Sequence, residues 1–541
     1  MNKHPTRHTP RWSLLVIPVV IFFSGLAFMK SMFPIYINSG VGYGPDAAYV
    51  YLFAALDMLQ GYSPAFTDHP GTPLQSIIAI IIPVVWFVTS AIQITTAGMI
   101  DSVVQNPELY LFTVSILLSL LTAGATHYLG LKLYRETSNI GLATSCQLAP
   151  LLFSVVSPMM AYPTAESFMQ SISIFLIATL IPLFYRDSNK SDIKFRTTAL
   201  VAGALCGIGV ATKLTFLPML SLVLILGSYR LILLSIAGFA TAWIISVLPI
   251  VSKLPEMLEW YLNMGTHSDL HGLGSTTIFD PSRFAENINY LYHFFPFFYQ
   301  VLVAVFIIFI ITGWLVIKSK GKLPDNFPFG SAVLITLMSA QTVAVAKHPG
   351  ISYMVPVLPA AVFAASWVLT SAIRLIDHSV SKKLENVGSL ICLGVIASIA
   401  IVNTLQAYES VAALRARAEH SHNNIENEIA KYENPILIGT FNCSFKECAT
   451  WFGIALTHGL DLRMNEVNPQ FYYFDIFAKN LRIPGSPELP REATPKTVND
   501  LINAGRTILL ISPSYDNTNQ FKLTELVKTP NQNLYRVNGY E

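Results

Sequence analysis

Apolar runs with few or no charges, separated by polar loops, fill the chain as far as about residue 405. They fall at roughly 12–35, 108–131, 139–160, 167–186, 197–214, 215–230, 231–251, 293–317, 329–346, 353–373 and 387–405. An α-helix needs about 20 such residues to cross a bilayer, and all but the short 215–230 run meet or approach that length. The pattern predicts an α-helical polytopic membrane protein with about eleven crossings. A twelfth apolar run, about 74–98, has no Lys or Arg after it until Lys132 and carries Asp101 just beyond its end.

Basic residues order the runs, because cytoplasmic loops carry the excess of Lys and Arg. Lys132 and Arg135 mark one loop and Arg186, Lys190, Lys194 and Arg196 the next. Arg230, the Lys318/Lys320/Lys322 group and the Arg374/Lys382/Lys383 group mark the others. With these inside, the loops at 36–107, 161–166, 252–292 and 347–352 face outward. Eleven crossings from a cytoplasmic N-terminus put the C-terminal segment outside. That count requires 74–98 not to cross, so it is expected to be a re-entrant or interfacial helix within the first outer loop.

Within the same loop, residues 47–60 repeat Tyr49, Leu52, Phe53, Leu56 and Leu59 at helical spacing, and Gly61 is a good stop. One apolar face on a short helix predicts that it lies on the membrane surface. After residue 405 the character changes. A helix at about 406–431 is followed by strand candidates at Pro435–Thr440, Thr507–Ser512 and Leu534–Val537. The expected division is a membrane domain, 1–405, and a small extracytoplasmic α/β domain, 406–541.

Composition agrees with this division: 52% of residues are hydrophobic and 12% charged, half the charge of ordinary soluble domains. A net charge of +2 gives no electrostatic case for nucleic acid as a partner. Membrane lipid is the expected surrounding. The run after Lys3, Arg7 and Arg11 is too long for a signal-peptide core and reads as a retained anchor. Of five cysteines, Cys146, Cys206 and Cys392 lie in apolar runs. Cys443 and Cys448 lie in the outer segment, where a disulfide is permitted and two free thiols are the alternative.

Candidate chemistry gathers at the outer ends of the runs. Asp46 can act as a general base on a hydroxyl or cap the helix that follows it. Glu166 can join it in an acidic site, or simply favour the first turn of a helix. Asp68 and His69 add an acid and a proton carrier, or form a Pro/Gly turn. Lys213 and Lys347 are cations at predicted outer ends, where the charge bias makes them unexpected. They suit a lipid phosphate, or snorkel to the headgroups. Trp260, Tyr261, His267, Asp269 and His271 lie in the long outer loop and suit a sugar face or a lid equally.

Together these residues resemble the GT-C-type glycosyltransferases that use polyprenyl-phosphate sugars, nearest the group of protein O-mannosyltransferases and lipid A aminoarabinose transferases. Gly44-Pro45-Asp46-Ala47-Ala48-Tyr49, then Gly61-Tyr62, then His69-Pro70-Gly71-Thr72-Pro73-Leu74 follow the family's first outer loop. Glu166 takes the place of a second acid that is more often Asp. The span with Gly203, Gly207 and Gly209 that ends in Thr212-Lys213 matches, as do Lys347, Tyr353, Pro356 and Pro359 and the basic hairpin Lys132–Arg135. The chain departs from the family where Gly71 and Thr72 split the Pro-Pro pair and where His69 replaces the usual Lys. The resemblance covers roughly residues 10–375.

It implies an inverting transfer of a sugar from a polyprenyl-phosphate donor to a hydroxyl of a lipid, glycan or protein, at the outer face of what would be a bacterial inner membrane. Asp46 would be the base, with Glu166 orienting acceptor or sugar. Lys213, Lys347, His69 and Tyr353 would hold the donor phosphate, and Asp68 and His348 would contact substrate. Nothing in the sequence fixes a metal, so a divalent ion stays open. Two other classes have many spans: a transporter or lipid flippase, against which stands the absence of an inverted repeat, and a non-catalytic envelope scaffold.

Overall fold

The computed structural model describes residues 11–33, 47–64, 66–67, 71–185, 195–267, 276–277, 280–318, 326–376, 382–440, 443, 445–476, 479–484, 492–513 and 519–540. Asp46, Asp68, His69, Asp269 and His271 lie outside them. The helices in chain order are α1 (Val16–Met32), α2 (Ala48–Leu59), α3 (Thr72–Ala91), α4 (Met99–Gln105), α5 (Pro107–Thr137), α6 (Ile140–Gln147), α7 (Ala165–Phe184) and α8 (Arg196–Thr212). Then follow α9 (Tyr229–Val247), α10 (Leu254–Thr266), α11 (Pro281–Phe294), α12 (Pro296–Lys318), α13 (Asn326–Lys347), α14 (Leu358–Ile376) and α15 (Lys382–Ile429).

The protein is an α-helical polytopic membrane protein with a small C-terminal sheet domain. Among the described residues, eight helical segments are long and apolar enough to cross a membrane, and four shorter apolar helices accompany them. Three details depart from the run lengths. The 139–160 run is helical only in pieces: α6, then short 3₁₀ turns at Ala149–Leu151 and Ser157–Ala161. Pro150 and Pro158 lie at these turns, each lacking the N–H that a continuous helix needs. The short 215–230 run is a 3₁₀ helix, Leu214–Leu226. At about 2 Å per residue it reaches roughly 26 Å, more than an α-helix of that length would. Finally, the last run does not end at residue 405. α15 carries on to Ile429 as one helix of 48 residues, its C-terminal turns bearing the pairs Arg415–Glu419 and His422–Glu426 at i,i+4.

The run at 74–98 becomes α3, which is long enough to cross, yet the chain returns to the side it left. At the start, the Gly71 N–H donates to the Thr212 carbonyl at 3.0 Å. After the helix, the Trp86 indole N–H donates to the Ala97 carbonyl at 3.1 Å, just before α4. Glu108, at the start of α5, then accepts from the Tyr49 hydroxyl of α2 at 3.1 Å. A crossing would leave α5 starting on the opposite side from α2, so α3 makes no net crossing. α2 itself is not a surface helix. Every residue from Ala48 to Asp57 is buried, because the C-terminal domain covers the face that the pattern assigned to water.

That domain adds β1 (Ile436–Thr440), α16 (Lys446–Ile454), α17 (Met464–Val467), β2 (Phe471–Asp475), β3 (Asn480–Arg482), β4 (Glu492–Ala493), α18 (Pro495–Asn503), β5 (Ile508–Ser512), β6 (Phe521–Lys528) and β7 (Asn533–Tyr540). The strands form one sheet in the order β4-β3-β2-β1-β5-β7-β6. β1 is parallel to β2 and β5, and the remaining pairs are antiparallel. Side chains alternate between faces, as strands require. Phe471, Tyr473, Leu509 and Ile511 pack into the core that continues through the helices. Ile438, Phe474, Leu481, Ile508 and Leu510 form a separate core with Val498 of α18. One face of the sheet is thus joined to the membrane helices.

Candidate active site

The first site element is the turn at the end of α8. Lys213 leaves helical geometry at φ −162° and ψ 138° while its N–H still donates to the Gly209 carbonyl at 3.0 Å. The chain can turn there because Gly209 has no side chain; a Cβ would overlap the Phe216 ring. Gly203 and Gly207 have a different task. A Cβ on either would run into the α9 backbone, at the Ser235 and Phe239 carbonyls. The Gly-rich pattern of this span therefore allows close helix packing and sets Lys213 at a fixed height.

The second element is the start of α7. Thr164 is extended, at φ −126° and ψ 166°, and Glu166 sits in the first turn, where the helix dipole favours a carboxylate. The Lys213 Nζ donates to Glu166 Oε1 at 2.6 Å, with the two side chains 7% and 9% exposed. Burial of either charge alone would cost several kcal/mol, and the pairing offsets it. The third element is the 3₁₀ turn Ile351–Met354, which carries Tyr353. Lys213 Nζ lies 4.6 Å from the centroid of the Tyr353 ring, a cation–π distance. The Gln341 side-chain N–H of α13 donates to the Tyr353 carbonyl at 2.8 Å and to the Thr215 carbonyl at 3.2 Å. One amide thereby ties the turn to the residues just after Lys213.

The structure thus brings Glu166, Lys213 and Tyr353 together. It places Lys347 and His348 against the end of α10. Lys347 Nζ donates to the Gly265 carbonyl, and the His348 ring Nε2 meets the Met264 carbonyl at 2.8 Å. Asn287 of α11 donates to the Ala346 carbonyl at 2.8 Å. The end of α13 is thus where both α10 and α11 are fastened. Of the two candidate cations, Lys213 thus faces an acid and Lys347 a backbone carbonyl. The segment with Asp68 and His69 enters α3 through Gly71, whose N–H bond to Thr212 puts that entry beside Lys213. Among the described residues no cluster of three His, Cys, Asp or Glu side chains could hold a metal ion.

A second polar centre lies between α2 and the C-terminal domain. The Asp57 side chain is fully buried. It accepts from the His458 backbone N–H at 3.2 Å and meets the His458 ring Nδ1 at 3.2 Å. Burial pushes the Asp57 carboxyl above its ordinary range, and the His458 bonds partly oppose that. The His458 ring stacks on Tyr62 at 5.0 Å. Alongside, Lys446 pairs with Glu108 at 3.1 Å and Arg463 with Asp101 at 3.4 Å. Gly453 lets α16 rest on the Tyr49 backbone, since a Cβ would come within 2.9 Å of the Tyr49 carbonyl oxygen. The sequence offered one clue, an acid inside the apolar repeat of α2; its partner lies 401 residues away. Cys443 and Cys448 form a disulfide, with Cα atoms 5.9 Å apart.

Fold and site define a class: a polytopic membrane protein with a buried charged centre at its helix ends, on the side that carries an α/β domain. No protein-family model matches the chain, and no curated protein matches it. Two solved structures similar to it are crystal structures of ArnT from Cupriavidus metallidurans, one bound to undecaprenyl phosphate and one in the apo state. Each is 13% identical, with 97% of this chain and 97% of that chain covered and a TM-score of 0.49.

Proposed function

We propose that the protein transfers a sugar from a polyprenyl-phosphate donor to a hydroxyl acceptor at the outer face of a bacterial inner membrane. The observation that carries this reading is the buried Glu166–Lys213–Tyr353 centre where the helices meet the outer segment. It is a cation held in a low-dielectric site, where it acts more strongly on a phosphate than it would in water. The first residue before α3, Gly71, bonds Thr212 next to it. The motif resemblance of the same loop names the chemistry.

In this reading the acceptor oxygen attacks the anomeric carbon as Asp46 takes its proton. The bond from that carbon to the phosphate oxygen breaks with its electron pair, releasing polyprenyl phosphate. Base and leaving group lie on opposite sides of the sugar, so configuration inverts. Lys213, Tyr353, His69 and Lys347 hold the phosphate. Glu166 keeps the Lys213 ammonium aimed and orients the substrate. Asp68 and His348 contact substrate.

The test is transfer from a panel of undecaprenyl- and dolichyl-phosphate sugars by purified protein, beside Asp46→Asn. Release of lipid phosphate by the wild type that drops by about 10²-fold or more in the variant is the expected result for a general base. Release unchanged in the variant removes Asp46 from the centre. No release from any donor by folded protein favours a transporter or scaffold.

A further inference from the structure

On the two helix starts that flank the buried centre are neutral polar groups that the protein does not satisfy. Gln75, one turn into α3, is fully buried, and neither its side-chain oxygen nor its nitrogen has a hydrogen-bond partner. Thr72, three residues earlier on the same helix face, is also fully buried with an unpartnered hydroxyl. The Gly71 N–H bond to Thr212 sets this first turn of α3 against the end of α8 that carries Lys213. On the other side, Gln170 follows Glu166 by one turn of α7 and so shares its face. Its side chain is 1% exposed and its oxygen is unpartnered. Thr164, just before Glu166, is 3% exposed with an unpartnered hydroxyl.

Buried polar side chains nearly always find partners, and an unpaired one costs more than an apolar side chain of the same shape. Four on the two helix starts beside one ion pair therefore point to a ligand with matching groups. A phosphate needs cations and donors. Glutamine amides and threonine hydroxyls each offer a donor and an acceptor and carry no charge. Vicinal hydroxyls of a sugar ring present that same mixture.

We propose that Gln75, Thr72, Gln170 and Thr164 recognise the hydroxyl groups of the donor's sugar ring, so that these residues set sugar choice while Lys213 holds the phosphate. This deepens the donor reading above and rests on it. Sites built to bond a hydroxyl reject analogues that lack it far more strongly than apolar pockets reject a missing methylene. The sugar should therefore be read stringently.

The experiment compares binding of undecaprenyl phosphate with binding of undecaprenyl phosphate bearing glucose, mannose or aminoarabinose. It uses wild type, Gln75→Met and Gln170→Met in detergent, with thermal unfolding as the folding check. Methionine keeps the side-chain length and removes the polar atoms. The expected result is that the wild type prefers one sugar-bearing lipid over the bare lipid. Each variant should then lose about tenfold or more of that preference, with affinity for bare undecaprenyl phosphate unchanged. Variants that keep the preference and unfold at higher temperature overturn the proposal, since the amides are then an internal liability only. A wild type that binds bare lipid but prefers no sugar-bearing one also overturns it, leaving the phosphate reading intact. Binding of neither lipid sinks the donor reading, and this inference with it.

Discussion

Two buried carboxylates show how differently one fold can treat the same group. Glu166 is paired with Lys213, and both side chains are almost wholly inside the protein. Asp57 is entirely inside, but its partner His458 is 45% exposed. The first pair joins two membrane helices; the second fastens the C-terminal domain to a short helix. Water reaches one member of the second pair and neither member of the first. The first should therefore dominate both stability and chemistry, and the second should act as an adjustable fastening.

The sharpest way to break that comparison is Lys213→Met. It leaves Glu166 buried without its cation, and stability should fall by about 3–5 kcal/mol. Pairing it with Glu166→Leu should recover most of that loss, because an apolar pair replaces an ion pair at little net cost. Transfer should stay absent in both proteins. Thermal unfolding in detergent together with lipid-phosphate release reads both quantities. Recovery of activity in the double variant would show that the pair is structural and that the phosphate is held elsewhere.

A smaller effect is expected at the second centre. His458→Ala removes the ring contact and the stacking on Tyr62 but keeps the backbone N–H bond. The loss should be about 1–3 kcal/mol, and it should be local. Hydrogen exchange should quicken in α16 and α2 while the α7–α8 contact stays protected. If protection falls equally at both, the C-terminal domain and the membrane helices unfold as one unit, and the two pairs are not independent.

Much of the first centre was visible in the chain, and almost none of the second. Lys213 is conspicuous as a charge at the end of an uncharged run, and Glu166 as an acid between two runs. Both signals are local, although the contact spans 47 residues. The strands at Ile436–Thr440 and Ile508–Ser512 also show, because both sides of a central strand are buried and the sequence there is continuously apolar. β6 does not, since it is an edge strand with Lys522, Glu525 and Lys528 along it. His458 has no local signal, as its role exists only once α16 is laid on α2. The same packing explains why the amphipathic pattern of α2 pointed to a membrane surface. Its second face is covered by a domain 400 residues further on, so burial there follows from tertiary contact and not from periodicity.

The smallest expected effect is a pH slope from Asp57, which lies outside the spanning helices. Its carboxyl is raised in the folded protein by burial, with the His458 bonds opposing the rise. An unfolded Asp titrates near 3.9, so between that pH and the raised folded value the folded protein holds the proton more often than the unfolded one. Stability from this group is therefore fully present below the unfolded value and is lost as pH rises through the folded one. The direction is opposite to that of an ordinary salt-bridged carboxylate. Asp57→Asn keeps the shape and removes the titration, so its unfolding temperature should lack that fall on the acid side. Subtracting the two profiles isolates the group from every other titrating residue. A difference that rises with pH, with the wild type gaining on the variant, would mean that His458 outweighs burial. The second centre would then be an ion pair of the same kind as Glu166–Lys213, and the contrast drawn between them would collapse.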